Sequence, residues 1–411
     1  MQVGVFHPGV QHSRQTALAL QQLGRLAFLA TGLFDHPGSA MQRIASALPA
    51  RIALPLRREL ARFAYDGLNP ALVRTGPIYE LPERIAARLG RGGLAAWLDA
   101  RGNAAFGRRI ARIAQRDGPL VLWGYDAAAW SAFTDPRAAD CTKILDRTMA
   151  DGRSWNAQRA LLRETQPEWF TSGSPAWTAQ RIAQDDAEYA AADRILCATP
   201  FVAETILTHS PVEGLADKLT LLPYGYDTAL FDGGNPANDP APHEPVRFLF
   251  VGQVAARKGI RHVLEALARF TPCEAVLTVV GSIALAEHLI APYQDRVTFT
   301  GPIPRTQVPA VMRAHHALVF PSYNEGSGIV MLEAMASGLT VIQASGFGPS
   351  EKSGFLLPEP DTDRVEAAMR SLVDDRERLH AMRQAALSEA RHHGPDAYRE
   401  NIARLLGDMG L

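Results

Sequence analysis

Two α/β domains facing a cleft are predicted by three observations in this 411-residue chain. Short apolar runs alternate with helical patterns over most of its length, one Pro-, Gly- and Asn-rich stretch interrupts the alternation, and a second alternation starts directly after it. The composition agrees: 47% hydrophobic, 21% charged and 8% aromatic residues exclude global disorder, collagen and coiled coil.

The first strand is predicted over residues 2–6, followed by a His-Pro-Gly loop and a helix that opens near Ser13 with Ala17, Leu20 and Leu23 on one side. Gly24 closes that helix and a strand over 26–30 follows at once, so the links favour a parallel pair with a crossover. Further strands are predicted at 120–123, 143–145, 194–197 and 219–222, with helical stretches between them. The interrupting stretch lies between Asp232 and Pro245 and marks the domain boundary, giving a first domain over 1–232 and a linker over 233–245. The second alternation predicts strands at 247–251, 275–280, 297–300, 317–320 and 340–343, with helices over 260–270, 307–314 and 329–337. In open parallel sheets ligands bind at the carboxyl ends of strands, so the loops after Val251, Val280, Thr300 and Phe320 are where chemistry is expected.

Charge excludes one class of partner. Lys plus Arg total 42 against 43 Asp plus Glu, and a net charge of −1 gives no overall field for nucleic acid. Locally the balance differs: from His36 to Gly118 there are 14 Arg and no Lys against 6 acidic residues. This reads as solvated helix faces whose Arg stems cover apolar surface, or as a basic patch for an anionic acceptor or peripheral contact with membrane headgroups. Cys141, Cys197 and Cys273 lie far apart with no C-x-x-C, which fits a reducing, cytoplasmic compartment. Met1 to Pro8 has no leader pattern, and the longest uncharged apolar run, Ala275 to Ala286, falls short of the ~20 residues needed to cross a bilayer.

The most informative segment runs from Pro321 to Gly338, where a strand gives way to a helix. Gly326, Ser327 and Gly328 let a ligand approach bare backbone at a helix N-terminus, where unpaired N–H groups and the dipole favour a phosphate. Glu333 is the only polar residue between Ile329 and Ala336, so its carboxylate needs a partner, either hydroxyls such as a ribose diol or a nearby Arg. Glu325 stands eight positions earlier, completing an E-x(7)-E pattern that suits a ligand with a sugar at one end and a nucleoside at the other. In the loop from Phe250 to Gly259, Arg257 and Lys258 supply cations for a departing diphosphate, a fork and a point charge. Asp361-Thr-Asp363 has the spacing of a metal clamp but sits just before a helix and reads as its cap. No metal and no cofactor are therefore expected.

These segments, together with 190–204, 221–231, 297–302 and 354–358, resemble the retaining glycosyltransferases of family four, which have the GT-B fold of two Rossmann-like domains. The resemblance covers the last half to two-thirds of the chain, and the first 190 residues match only by alternation. It implies transfer of a sugar from a UDP- or GDP-sugar to a hydroxyl of a glycan, lipid-linked or small-molecule acceptor, with retention of configuration. It assigns Glu325 to the donor sugar, Glu333 to the ribose, Lys258 to the diphosphate and the amides of residues 326–328 to sugar or phosphate oxygens. Gly301 to Ile303 line the base pocket, Gly9 approaches the diphosphate, and a final helix over 395–411 returns from the second domain, 246–394, to the first. The leaving diphosphate itself takes the acceptor proton.

Departures from the pattern are specific. Gly252-Gln253 replaces the usual Gly-Arg, so Arg257 is expected to supply that charge, and Ser327 replaces a frequent Phe. A His that often follows the fourth strand is absent, with Tyr125 or Asp126 as substitutes and His12 as an acceptor-side contact. A catalytically silent nucleotide-sugar scaffold and a GT-B epimerase are the alternatives these departures leave open.

Overall fold

The computed structural model describes residues 1–9, 12–36, 42–43, 46, 48–49, 51, 53–54, 57, 63–76, 90–170, 175–346 and 348–411. Much of the Arg-rich segment between His36 and Gly118 therefore lies outside the described residues.

The first sheet has seven strands in the order β3-β2-β1-β4-β5-β6-β7, all parallel. They are β1 (Val3–Phe6), β2 (Leu26–Thr31), β3 (Val73–Thr75), β4 (Val121–Tyr125), β5 (Thr142–Arg147), β6 (Arg194–Cys197) and β7 (Leu219–Leu221). Apolar runs form these strands because both faces are covered. Phe6, Phe28, Leu122 and Leu145 pack on one face, while Val5, Leu29, Trp123 and Ile144 pack on the other. The covering helices are α1 (Ser13–Gln22), α2 (Gly92–Asp117), α3 (Gly152–Thr165), α4 (Ala179–Ala191) and α5 (Pro200–His209). Thr199 and Pro200 start α5 by the usual chemistry: the Thr199 hydroxyl accepts the Val202 N–H at 3.3 Å and Pro200 occupies the first turn.

The second sheet has six parallel strands, β8 (Val246–Val251), β9 (Ala275–Val280), β10 (Val297–Gly301), β11 (Ala317–Phe320), β12 (Thr340–Gln343) and β13 (Gly354–Leu356). Their order is β10-β9-β8-β11-β12-β13. It is built around helices α6 (Ile260–Leu267), α7 (Val308–Arg313), α8 (Ile329–Ala336), α9 (Thr362–Asp374) and α10 (Arg376–Ala390). The last helix, α11 (Pro395–Asp408), leaves this domain and packs on α1, placing Tyr398, Ile402, Leu405 and Leu406 in the first domain's core. The Tyr398 and Tyr125 hydroxyls both meet the Thr16 hydroxyl, at 2.7 and 2.6 Å.

The chain thus crosses between domains twice, and the two crossings touch. The Tyr226 N–H donates to the His393 carbonyl at 3.2 Å, and a Cβ on Gly225 would lie 3.2 Å from the Gly394 carbonyl. The segment between Asp232 and Pro245 is fastened to the second domain. Arg383 donates to the Ala237 carbonyl at 2.7 Å and the Gly338 carbonyl at 2.8 Å, and pairs with Asp239.

His316 fastens the same segment. Its Nδ1 accepts the Arg247 N–H at 2.9 Å, so the proton sits on Nε2, which donates to the Asn238 carbonyl at 3.1 Å. The ring is wholly buried, and burial first, then the Arg247 and Arg383 charges, push its pKa from 6.5 down to about 3. The folded chain then binds this proton less readily than the unfolded one, so the stabilisation is complete above about pH 6.5 and is lost as pH falls toward about 3. His316→Asn, whose amide oxygen accepts the same N–H without titrating, is expected to show a shallower fall across that window. The difference, read from denaturant melts at several pH values, reaches up to about 1.4 kcal/mol per pH unit.

Candidate functional site

The carboxyl ends of β8, β9 and β10 are stitched into a floor of bare backbone. The Gly252 N–H donates to the Val280 carbonyl at 2.9 Å and the Gly281 N–H to the Gly301 carbonyl at 3.0 Å. A Cβ on Gly281, at φ +146, would stand 1.9 Å from the Gly252 carbonyl oxygen, so only glycine permits this approach. Ile303 packs half-buried against the domain core beyond Gly301.

One ion pair stands at each side of that floor. After β8, a short turn over Ala256–Lys258 ends at Gly259, φ +71, where a Cβ would strike the Pro321 carbonyl at 1.9 Å. This close contact sets Lys258 against the loop after β11, and its ammonium pairs with the Glu325 carboxylate while lying 5.0 Å from the centre of the Phe320 ring. Burial lowers the Lys258 pKa against the opposing pull of Glu325. Next to it, Arg257 donates to Gln253 Oε1 at 3.2 Å and lies 5.9 Å from the Trp155 ring centre, its pKa lowered by burial. At the other side, Glu333 on α8 is buried and its carboxylate accepts from both terminal nitrogens of the Arg305 guanidinium, Nη1 at 2.9 Å. Burial raises the Glu333 pKa and Arg305 works against it. The partner of Glu333 is thus an Arg, one of the two options its position left open.

Between the two pairs, Gly326 presses on the first domain. A Cβ there would lie 1.9 Å from the Thr148 carbonyl oxygen, and the Thr199 hydroxyl donates to the Gly326 carbonyl at 3.1 Å. Ser327 is half-buried, and Gly328, φ +65, caps α8. Thr148 also ties Asp126 to this contact: the carboxylate accepts its N–H at 3.1 Å and its hydroxyl at 2.7 Å. Burial pushes the Asp126 carboxyl up, but Arg147 and Thr148 outweigh it and hold it below the usual range.

Three residues read from the sequence as acceptor-side stand differently. Tyr125 is corrected outright: β4 extends to it, strand alternation sends its ring inward with Val121 and Trp123, and it is fully buried against Thr16. Asp126 is buried and supports Thr148 rather than facing open cleft. His12 caps nothing with its side chain; its ring stacks on Tyr224 at 3.8 Å, and burial pushes its pKa down to about 4. Gly9 donates its N–H to His7 Nδ1 at 3.1 Å in the loop after β1.

Sequence reasoning missed Arg305, Thr148, Thr199 and Tyr323. Arg305 is the one basic residue in the Pro-Arg-Thr-Gln loop after β10, and the two threonines follow strand ends of the first domain. Tyr323 joins the domains: its hydroxyl accepts from the Gln166 amide at 2.7 Å and meets His262 Nε2 at 2.7 Å. The Asp361 carboxylate accepts the Arg364 N–H at 2.9 Å and Asp363 pairs with Arg269 at 2.7 Å, so this D-x-D sits at a helix start with its acids engaged.

Residues 235–389 match the family of glycosyl transferases group 1. A D-inositol 3-phosphate glycosyltransferase from Segniliparus rotundus is 30% identical over 234 residues, 51% of this chain and 51% of that protein. A D-inositol 3-phosphate glycosyltransferase 1 from Catenulispora acidiphila is 29% identical over 253 residues, 55% of this chain and 59% of its own. The chain thus spans about half the length of the curated relatives it matches. Over the whole chain the fold is similar to that of a sucrose-phosphate synthase from Thermosynechococcus elongatus, with TM-score 0.63, 17% identity and coverage of 100% and 99% of the two chains. Anabaena HepE in complex with UDP gives TM-score 0.61 at 14% identity, covering 99% of this chain and 100% of that one. The architecture is the GT-B fold, and its second domain carries the group 1 glycosyl transferase match.

The domain contact has a direct consequence. Gly326→Ala forces a methyl group into the Thr148 carbonyl, and denaturant melts are expected to show a loss of about 1–3 kcal/mol.

Proposed function

We propose that the chain is a retaining glycosyltransferase of family four that moves a sugar from a nucleotide-sugar donor, UDP- or GDP-linked, to a hydroxyl of a carbohydrate, glycolipid or small-molecule acceptor, without a metal. The observation that carries this reading is the placement of two carboxylate–cation pairs, Lys258–Glu325 and Arg305–Glu333, beside a glycine floor at the carboxyl ends of the strands of one sheet. A nucleoside diphosphate sugar has the matching layout of sugar, anion and ribose diol.

The diphosphate takes the Lys258 ammonium and the Arg257 guanidinium as its counterions, which lets Glu325 accept hydrogen bonds from sugar hydroxyls. Ribose hydroxyls donate to Glu333, replacing part of its bond to Arg305, and Gly301 with Ile303 borders the base. The amides of residues 326–328 meet sugar or phosphate oxygens at the start of α8, and Gly252, Gln253 and Gly9 border the diphosphate. The acceptor oxygen then bonds to the anomeric carbon as the carbon–oxygen bond to the diphosphate breaks. The acceptor proton passes to a diphosphate oxygen on the same face of the sugar, so atoms and charge balance without a dedicated base. HepE, which shares this fold, is described in complex with UDP, which supports the choice of donor class.

The same reading puts the protein in the cytoplasm, peripherally at the inner face of the membrane. Cys141 and Cys197 are buried and unpaired, and among the described residues no helix is long and apolar enough to cross a membrane. On α2, Leu94 and Trp97 are exposed, with Arg101 4.7 Å from the Trp97 ring centre, a pattern suited to headgroup contact.

Thermal unfolding with a panel of nucleoside diphosphates and nucleotide sugars tests the donor. A true ligand at 100 times its Kd adds about 2.7 kcal/mol. Glu325→Ala and Lys258→Ala are each expected to cut transfer by about 10²-fold or more. A panel in which nothing stabilises the chain, or variants that transfer as fast as the parent, refutes the reading.

A further inference from the structure

Tyr323 joins three parts of the molecule. It stands two residues before Glu325 in the loop after β11, and each of its polar groups is taken. Its N–H donates to the Arg257 carbonyl at 2.9 Å, its carbonyl accepts from the Gln158 amide, and its hydroxyl lies 2.7 Å from both the Gln166 amide nitrogen and His262 Nε2. Gln158 lies on α3 and Gln166 directly after it, both in the first domain, whereas Arg257 and His262 belong to the second.

The far end of this network fixes the direction of its bonds. The Glu265 carboxylate, paired with Arg261 at 2.7 Å, can only accept, so the Thr362 hydroxyl donates to it at 2.8 Å. Thr362 has no second proton and therefore accepts from His262 Nδ1 at 2.8 Å. A neutral ring protonated on Nδ1 leaves Nε2 bare to accept the Tyr323 O–H, and the Tyr323 oxygen accepts from Gln166 in turn. Burial lowers the His262 pKa against the pull of Glu265, in keeping with a neutral ring. Gln166 is buried, and its Oε1 finds no partner among the described residues. Turning that amide over would pair Oε1 only if every bond back to Thr362 reversed, which would take the Thr362 proton from Glu265. The five side chains thus form one oriented relay from the first domain into the second.

We propose that Tyr323 is a positioning residue whose hydroxyl clasps the first domain to the second and holds the cleft closed before any ligand arrives. Glu325 lies between two such anchors, Tyr323 on one side and Gly326, bonded to Thr199 at 3.1 Å, on the other. The loop after β8 is fastened to the same point through the Arg257 carbonyl. That this segment is a reaction centre rests on the glycosyltransferase reading above, whereas the clasp does not depend on it.

Electron–electron resonance distances in the full chain test this, measured without ligand. One spin label sits on Cys273, exposed in the second domain, and the other on Glu204→Cys, exposed on α5 of the first. Tyr323→Phe keeps the ring but loses the relay, and Gln166→Leu breaks the same bond from the other domain. Each is expected to shift the mean distance by more than about 2 Å. The double variant is expected to shift it no further than the larger single change, because both remove one bond. A mean distance unchanged in both single variants overturns the clasp, and so does a double variant in which the two shifts add. The two readings fail separately, because a parent chain that binds no nucleoside diphosphate refutes the donor site while these distances still decide the clasp.

Discussion

A charge withdrawn from water must find a partner, and the cleft of this protein is organised by that requirement. Lys258 and Glu333 are both buried, and each answers with an opposite charge from a different loop. The pairs do more than offset desolvation. Each ties one of the loops after β8 and β10 to the segment after β11, so the ends of separate strands become a single surface.

Backbone geometry is what brings these strand ends together. Gly252, Gly281 and Gly259 are positions where a side chain would collide with a neighbouring carbonyl or ring, and their absence of Cβ lets adjacent strand ends lie close together. Gly326 does the same between domains. Through Thr148 that contact continues into Asp126 and the buried Arg147–Asp185 pair at 2.9 Å, so the first domain meets the turn with a braced polar interior.

Most of the strands were accessible to sequence reasoning because parallel strands buried on both faces read as continuous apolar runs, and residues 194–197, 275–280, 317–320 and 340–343 carry little else. The edge strands β3 and β13 escaped it. Each has three residues, and Val73-Arg-Thr has no apolar run to announce it. In the site, Glu333 stood out as a charge in an apolar helix, Glu325 by its spacing from it, and Lys258 as a cation in a loop at a strand's carboxyl end. Arg305 did not, because a lone Arg in a polar loop is ordinary until the fold brings Glu333 beneath it. Tyr125 misled for the opposite reason: its neighbourhood looked like a loop, and two further residues of strand turned the ring into the core. The contacts of α3 with the second domain depend on residues more than a hundred positions apart, which no local spacing encodes.

The double crossing of the chain limits how the cleft can move. Because the strands of polypeptide at Gly225–Tyr226 and His393–Gly394 lie in contact, they act as one pivot rather than two independent tethers. Relative motion of the halves is then a swing about that point, small beside it and larger with distance from it. The helix at the end of the chain is in this sense a hinge pin: it fixes the axis, and the lever arm beyond it determines how wide the mouth can gape.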